Sequence, residues 1–204
     1  MIPVFYSNKP DDNHCLQASL LIVLNSLGYS VSWKEINRLT SYDSRYYSWT
    51  ITAASIISQY IPKAKFMTRI DYRKFADQGE QYLKQIWDEN WFNTQQSHAS
   101  PGFIREQNFA KNFKGNYVLL SKKPTVKKLT SLLKGNFLIA LINPYIIRGE
   151  DGAAGHFVVV YSKFKNNFVY HDPGNPPIKG ARSECEIFLK AMSDEFLVVP
   201  NNTV

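Results

Sequence analysis

The chain has 204 residues, of which 44% are hydrophobic and 14% aromatic, and this content is sufficient for a sizeable core. No long linker rich in Pro, Gly or Ser, no internal repeat and no low-complexity tract interrupts the sequence, which excludes solenoid and disordered classes. We therefore expect one domain over residues 1–204. The formal net charge of +7 allows an acidic partner without naming one.

The first strong pattern along the chain is an apolar helical one over residues 16–27, which Gly28 would end. Asp11 or Asn13 is expected to cap this helix, so Cys15 falls in its first turn. Unpaired backbone N–H groups and the helix dipole at that end favour a thiolate. Cys15 is therefore the candidate nucleophile.

The rest of the N-terminal half predicts mainly helices, because its apolar side chains recur at helical spacing between capping residues and Gly or Pro. The predicted elements up to Tyr60 are an extended segment or strand over 2–6, a helix capped by Ser32, a loop over 40–48 and a helix from Thr50 or Thr52 to Tyr60. They are followed by a strand over 65–70, Asp71 as a turn or helix cap, a helical region over 71–92 interrupted at Gly79, a break over 93–101 and a helix over 103–113.

The C-terminal half predicts mainly strands. Its predicted elements are a Lys-rich helix capped by Thr125, a buried strand over 136–142, a loop over 146–155, a hairpin centred near residue 164, a helix over 182–192 and a last strand over 195–199. Glycines and small residues in the loop predict either a mobile rim of a cleft or a plain surface loop.

The hairpin is predicted from two β-branched and aromatic runs that flank a short Lys/Asn segment. A turn about Phe164 would place His156 and Asp172 directly opposite each other on one face of the sheet. A turn centred on Lys165 would make them diagonal neighbours on that face. Either arrangement delivers an imidazole and a carboxylate to one point, which is half of a nucleophilic triad.

Three blocks of the sequence carry a family resemblance: Asn13-His14-Cys15-Leu16-Gln17-Ala18-Ser19, Gly155-His156-Phe157-Val158-Val159-Val160 and His171-Asp172-Pro173-Gly174-Asn175-Pro176-Pro177. They resemble the C39-like branch of papain-like cysteine peptidases, and stretches in the middle of the chain are similar to its stand-alone members. The resemblance implies an α+β, papain-like fold, in which an N-terminal α-rich part with the Cys helix packs against a C-terminal antiparallel sheet.

The resemblance also implies a role for each site residue. It makes Cys15 the nucleophile, His156 the general base and Asp172 the orienting residue. Family members usually carry a Gln before the Cys, whose amide joins the Cys backbone N–H in the oxyanion hole. This chain has no Gln there, and Asn8 lies nearest to the expected place. The implied activity is cleavage of peptide or isopeptide bonds in a peptide or protein substrate through a thioester, without a cofactor or a metal.

Alternatives stay open at this point. The same triad would also serve acyl transfer to an amine or deamidation of a glutamine, and a catalytically silent peptide-binding domain is the alternative from another class. A zinc site built from the same three residues would lack paired ligand spacing. With only Cys15 and Cys185 in the sequence, a disulfide framework is not expected.

The sequence shows no signal peptide and no transmembrane segment, so we expect a cytoplasmic protein without membrane association. The densest basic cluster lies over 122–134. Such a cluster is usually a solvated face, with contact to a nucleic acid or an acidic substrate as the alternative. Nucleic acid binding is not expected, because no zinc finger, RNP-type aromatic block or phosphate loop accompanies these lysines. The sequence does not indicate an oligomeric state.

Overall fold

A seven-stranded sheet forms the centre of the computed structural model, which describes residues 1–9 and 11–201. The order across the sheet is β2-β1-β7-β3-β4-β5-β6. Strands β1 and β2 are parallel, and every other neighbouring pair is antiparallel. The strands are β1 (Lys65–Thr68), β2 (Asn116–Leu119), β3 (Asn136–Ile142), β4 (His156–Phe164), β5 (Asn167–Asp172), β6 (Ile178–Glu184) and β7 (Met192–Pro200).

Helices cover both faces of this sheet, and the buried residues form two core clusters. One cluster contains the N-terminal helices, and the other contains the helices of the C-terminal half. The helices are α1 (Cys15–Ser26), α2 (Trp33–Leu39), α3 (Thr50–Tyr60), α4 (Tyr72–Gln78), α5 (Glu80–Ile86), α6 (Glu89–His98), α7 (Ile104–Asn112), α8 (Val126–Leu132), α9 (Pro144–Arg148) and α10 (Cys185–Ala191), with a 3₁₀ turn over Pro101–Phe103.

Helix α1 is buried along most of its length, since every residue from Leu16 to Leu24 is buried. It packs against β4, where Phe157 and Val159 belong to the same core cluster. This contact fixes the start of the Cys helix against the start of the strand that begins with His156. The expected α+β fold, with an α-rich N-terminal part packed on a sheet, is confirmed.

Several local predictions are also confirmed. Ser32 caps α2 and Thr125 caps α8. Asp71 caps α4, and Gly79 separates α4 from α5 with a positive φ of 56°. Strand β3 has the predicted bounds. Capping groups and buried apolar runs are local signals, so the sequence predicts these elements correctly.

Other local predictions are wrong for identifiable reasons. The predicted break over 93–101 is absent up to His98, because Asp88 caps α6 and Phe92 anchors it in the core. The predicted helix over 182–192 begins only at Cys185, since residues 178–184 pair with β5 as strand β6. Strand β2 and the short helix α9 were not predicted. Of the two alternatives for residues 2–6, an extended segment or a strand, the structure excludes the strand. Among the described residues, no helix has the length and apolarity needed to cross a bilayer.

Candidate active site

Cys15 is the first residue of α1, and no side chain caps the helix at its N-cap residue, His14. The first intrahelical hydrogen bond runs from the Ala18 N–H to the His14 carbonyl, at 2.8 Å. The predicted capping by Asp11 or Asn13 is wrong, because the Asp11 carboxylate binds the His14 ring and the Asn13 N–H instead. The backbone N–H groups of residues 15–17 therefore lack a side-chain cap beside the thiol.

The ring of His14 anchors the segment that precedes the helix. His14 is 3% exposed and stacks on Tyr42 with 3.9 Å between ring centroids. Its Nδ1 lies 2.9 Å from Asp11 Oδ1, and its Nε2 lies 3.4 Å from Asn37 Nδ2. Burial and the neighbouring Asp11 carboxylate raise the pKa of Tyr42 to about 12. Because both ring nitrogens are engaged away from Cys15, His14 has a structural role.

His156 and Asp172 form a direct pair at the open end of the β4–β5 hairpin. Nε2 of His156 lies 2.6 Å from Oδ1 of Asp172, and the two side chains are 14% and 20% exposed. The turn and a bulge at Tyr161 together place Val159 opposite His171. His156 and Asp172 are therefore diagonal neighbours, the second of the two arrangements that the sequence allowed.

Charges around the imidazole favour its protonated form. Burial lowers the pKa of His156, but hydrogen bonds and charges from Asp172 and Cys15 outweigh burial and raise the pKa to about 10. Burial raises the pKa of Asp172, but the hydrogen bond and charge of His156, the Gly174 N–H and the charge of Arg148 hold it below its usual value. The pair is thus an imidazolium and a carboxylate at neutral pH. Since Nε2 faces Asp172, Nδ1 is the ring nitrogen left for Cys15.

Gly174 lies directly over this pair and was missed by the sequence analysis. Its N–H donates a 2.8 Å hydrogen bond to Asp172 Oδ1, the oxygen that also contacts His156. A Cβ at position 174 would lie 2.9 Å from Asp172 Oδ1 and 3.2 Å from His156 Nε2. The signal in the sequence was Asp172-Pro173-Gly174, because an Asp side chain often binds the backbone N–H two residues later.

Asn8 connects the two halves of the site. Its N–H donates to the Pro173 carbonyl at 2.6 Å, in the loop that follows β5. Its Oδ1 accepts hydrogen bonds from the N–H groups of His14 at 2.8 Å and Lys9 at 2.9 Å. Its Nδ2 donates to Asp12 Oδ1 at 2.9 Å, which uses one of the two amide hydrogens. Asn8 thus holds the backbone just before the Cys helix against the loop after β5, and its role as an oxyanion donor stays a prediction.

The remaining candidates lie outside this cluster. His171 is buried, with Nε2 3.0 Å from the Pro3 carbonyl and Nδ1 accepting from the Gly180 N–H at 3.2 Å. Burial lowers the pKa of His171, so it is a neutral anchor for the N-terminal segment. Cys185 is fully buried, and burial, together with Glu186 and Glu184, raises the pKa of its thiol. Both cysteines are free, as expected.

Possible metal ligands and the cavity beside α3 form no second cluster with these site residues in the described part of the chain. No group of three or more His, Cys, Asp or Glu side chains there is arranged to hold a metal ion. A cavity of about 600 Å³ lies between α3 and α7, lined by polar residues such as Ser55, Asn108 and Asn112 together with Phe109. None of the three predicted site residues lines this cavity.

Comparison with known proteins supports the fold. The structure is similar to the peptidase domain of Streptococcus ComA, a bi-functional ABC transporter involved in a quorum sensing pathway. The TM-score is 0.52 at 12% sequence identity, and the match covers 98% of this chain and 99% of that domain. No family model and no curated protein matches the sequence. The likeness therefore establishes a C39-like fold and does not by itself assign an activity.

Proposed function

We propose that this protein is a thiol hydrolase of the cysteine peptidase type, which cleaves peptide or isopeptide bonds. One observation supports the proposal most strongly. Nε2 of His156 lies 2.6 Å from the Asp172 carboxylate, and Cys15, at an uncapped helix N-terminus, is among the groups that raise the pKa of His156. The structural likeness to a peptidase domain agrees with this arrangement.

In the first step the Cys15 thiolate attacks the substrate carbonyl carbon, and a C–S bond forms. The carbonyl oxygen becomes an oxyanion, for which the Cys15 N–H is the backbone donor, because no side chain caps this helix end. The second amide hydrogen of Asn8 is the proposed side-chain donor, since the first binds Asp12.

In the second step the tetrahedral intermediate collapses and the C–N bond breaks. The His156 imidazolium gives its proton to the leaving amine, and Asp172 holds the ring with Nδ1 towards the reaction. Water then attacks the thioester while neutral His156 accepts its proton, and the acid product leaves. The thiolate and the imidazolium are thereby restored.

The hydrogen bond from Asn8 to Asp12 favours a second candidate, a peptide-binding domain without catalysis. An amide already committed to a carboxylate is a weaker oxyanion donor if the Asp12 contact restricts its rotation. Losing one such donor typically costs about 2.7–4 kcal/mol of transition-state stabilisation. Binding without turnover in both wild type and Cys15→Ala would support this candidate.

The experiment is product analysis with a mixed peptide library. We expect new N-termini with the wild-type protein and none with Cys15→Ala, as read by mass spectrometry. Adding hydroxylamine should divert the thioester to a hydroxamate. Adding a peptide amine reveals transpeptidation if acyl transfer dominates, and conversion of a Gln to Glu in the library reveals deamidation. Wild-type protein that yields none of these products would contradict the proposal.

A further inference from the structure

One segment of the chain holds all of the protein's excess positive charge. Residues 111–134, here called the basic edge, contain seven lysines and no Asp or Glu. The whole chain has 24 Lys and Arg against 17 Asp and Glu, so the remainder of the chain carries 17 of each sign. The seven are Lys111, Lys114, Lys122, Lys123, Lys127, Lys128 and Lys134.

Among the described residues, these lysines have no paired acidic side chain. Six of the seven are exposed, and Lys123 is half-buried with its Nζ near the Lys190 carbonyl. In the part of the chain that the structure describes, none of the seven makes an ion pair. A concentrated and unpaired charge of one sign attracts a partner of the opposite sign.

The basic edge contains β2, which is the last strand on its side of the sheet. The Leu120 N–H donates to the Thr68 carbonyl of β1 at 2.7 Å. The backbone N–H and C=O groups of successive residues in a strand point to opposite sides, so those of Val118 also face β1. The N–H and C=O groups of Tyr117 and Leu119 therefore face the open side of the sheet. Val118 and Leu119 are 40% and 53% exposed, so this edge is open for pairing with another strand.

A cavity of about 270 Å³ adjoins the end of β2. Apolar side chains of Met67, Leu132 and Phe196 contribute to its lining, and so do the exposed residues Lys122 and Lys128. An extended chain bound along β2 would present alternate side chains at the surface. Acidic side chains would then meet the lysines, while an apolar side chain would enter the cavity.

We propose that the basic edge binds an extended acidic segment of a partner polypeptide, which adds as a strand to β2. A polypeptide is favoured over a nucleic acid, because an open strand edge pairs with a peptide backbone. The aromatic rings of the segment, on Phe113 and Tyr117, pack against the core and offer no exposed platform for stacking bases. The surface is thus matched to acidic side chains alternating with apolar ones.

This site is separate from the candidate active site. Strands β1, β7 and β3 lie between β2 and β4, which corresponds to about 19 Å across the sheet at the usual strand spacing. Binding at the basic edge therefore does not depend on the proposed peptidase activity, and it can be tested in Cys15→Ala.

The test is binding of a fluorescein-labelled peptide of about ten residues in which Glu alternates with Val. The test variant is Lys122→Gln/Lys127→Gln/Lys128→Gln, which replaces three of the six exposed lysines of the basic edge. The matched control, Lys34→Gln/Arg38→Gln/Lys179→Gln, removes the same charge from exposed positions elsewhere. We expect the affinity to fall at least tenfold in the test variant and less than twofold in the control.

Hydrogen exchange then locates the peptide. The amides of Tyr117 and Leu119 should become protected when the Glu–Val peptide binds, and the Gln–Val counterpart should give little protection. Equal loss of affinity in both triple variants, or binding without protection of β2, would overturn the proposal. So would displacement of the peptide by oligo-dT or by vesicles containing phosphatidylserine at lower concentration than by unlabelled peptide.

Discussion

The backbone N–H of Asn8 donates a 2.6 Å hydrogen bond to the carbonyl of Pro173, although 165 positions separate the two residues. Pro173 follows the carboxylate that orients His156, and the Asn8 side chain accepts from the N–H of His14, the residue before Cys15. One residue therefore sets the position of the Cys helix relative to the His–Asp pair.

The two roles of Asn8, as clamp and as oxyanion donor, are separable by exchanging it with its partner. In Asn8→Asp/Asp12→Asn, an oxygen at position 8 still accepts hydrogen bonds from the N–H groups of His14 and Lys9. The hydrogen bond between positions 8 and 12 is also retained, but the amide at position 12 now donates it. The donor for the oxyanion is lost, so kcat should fall about 10²–10³-fold. Thermal unfolding should be little changed, because Asn tolerates the positive φ of 55° at position 12. Full activity in the exchanged variant would leave Asn8 as a clamp alone.

Gly174→Ala should disrupt the site more than the fold. The added Cβ would lie 2.9 Å from Asp172 Oδ1, so the carboxylate or the His156 ring must shift. We expect activity to drop at least tenfold, and the titration of His156, followed by NMR, to move from about 10 towards neutral pH. Gly28→Ala is the control. Its φ of 88° makes Ala strained, at a cost of about 1–2 kcal/mol, but no atom lies within 4 Å of the added Cβ. An unshifted His156 titration in Gly174→Ala would refute the positioning role.

The raised pKa of His156 predicts a pH window for stability and activity. The folded-state pKa of about 10 exceeds the unfolded value of about 6.5. The stabilisation is therefore fully present below about pH 6.5 and is lost as pH rises through 10. His156→Gln should destabilise the protein more at pH 6 than at pH 10.5 in urea titrations. Turnover should decline near pH 10, because the leaving amine then lacks its proton donor. A destabilisation independent of pH would contradict this account.

Glu195 in β7 should reduce stability above neutral pH. Burial raises its pKa to about 7, although hydrogen bonds from Thr68 and Tyr72 oppose the shift. A carboxyl whose folded pKa lies above its unfolded value of about 4.3 destabilises the fold as pH rises from 4.3 through 7. Glu195→Gln should therefore raise the midpoint of thermal unfolding more at pH 8 than at pH 5. An equal effect at both pH values would show that the carboxyl stays ionised.

The sequence predicts the parts of this structure that local chemistry determines. The Cys helix, the caps at Ser32, Asp71 and Thr125 and the buried strand β3 follow from side-chain type and spacing alone. Strand β6 was missed because it lies at the sheet edge, where five of its seven residues are not buried and no clean alternation marks it. The exposed edge strand β2 was missed for the same reason.

Within the site, the sequence predicts which groups meet but not how they are held. The bulge at Tyr161 changes the pairing of β4 with β5 without a Gly to mark it. The contact between Asn8 and Pro173 depends on the folding of two distant segments, so no local pattern reveals it. The start of α1 is uncapped because the Asp11 carboxylate binds the His14 ring instead of the N–H groups of the helix. Residue propensity does not predict which of these two partners the carboxylate binds.

The most direct test of the account is the rate of Cys15 alkylation by iodoacetamide at pH 7, read by peptide mass spectrometry. Buried Cys185 is the internal control for unfolding. We predict that Cys15 in the wild type reacts at least tenfold faster than in His156→Gln, because the imidazolium stabilises the thiolate. Asp172→Asn should fall between the two. Equal rates in all three proteins, with Cys185 unreactive throughout, would show that no thiolate–imidazolium pair exists and would contradict the proposed catalytic role.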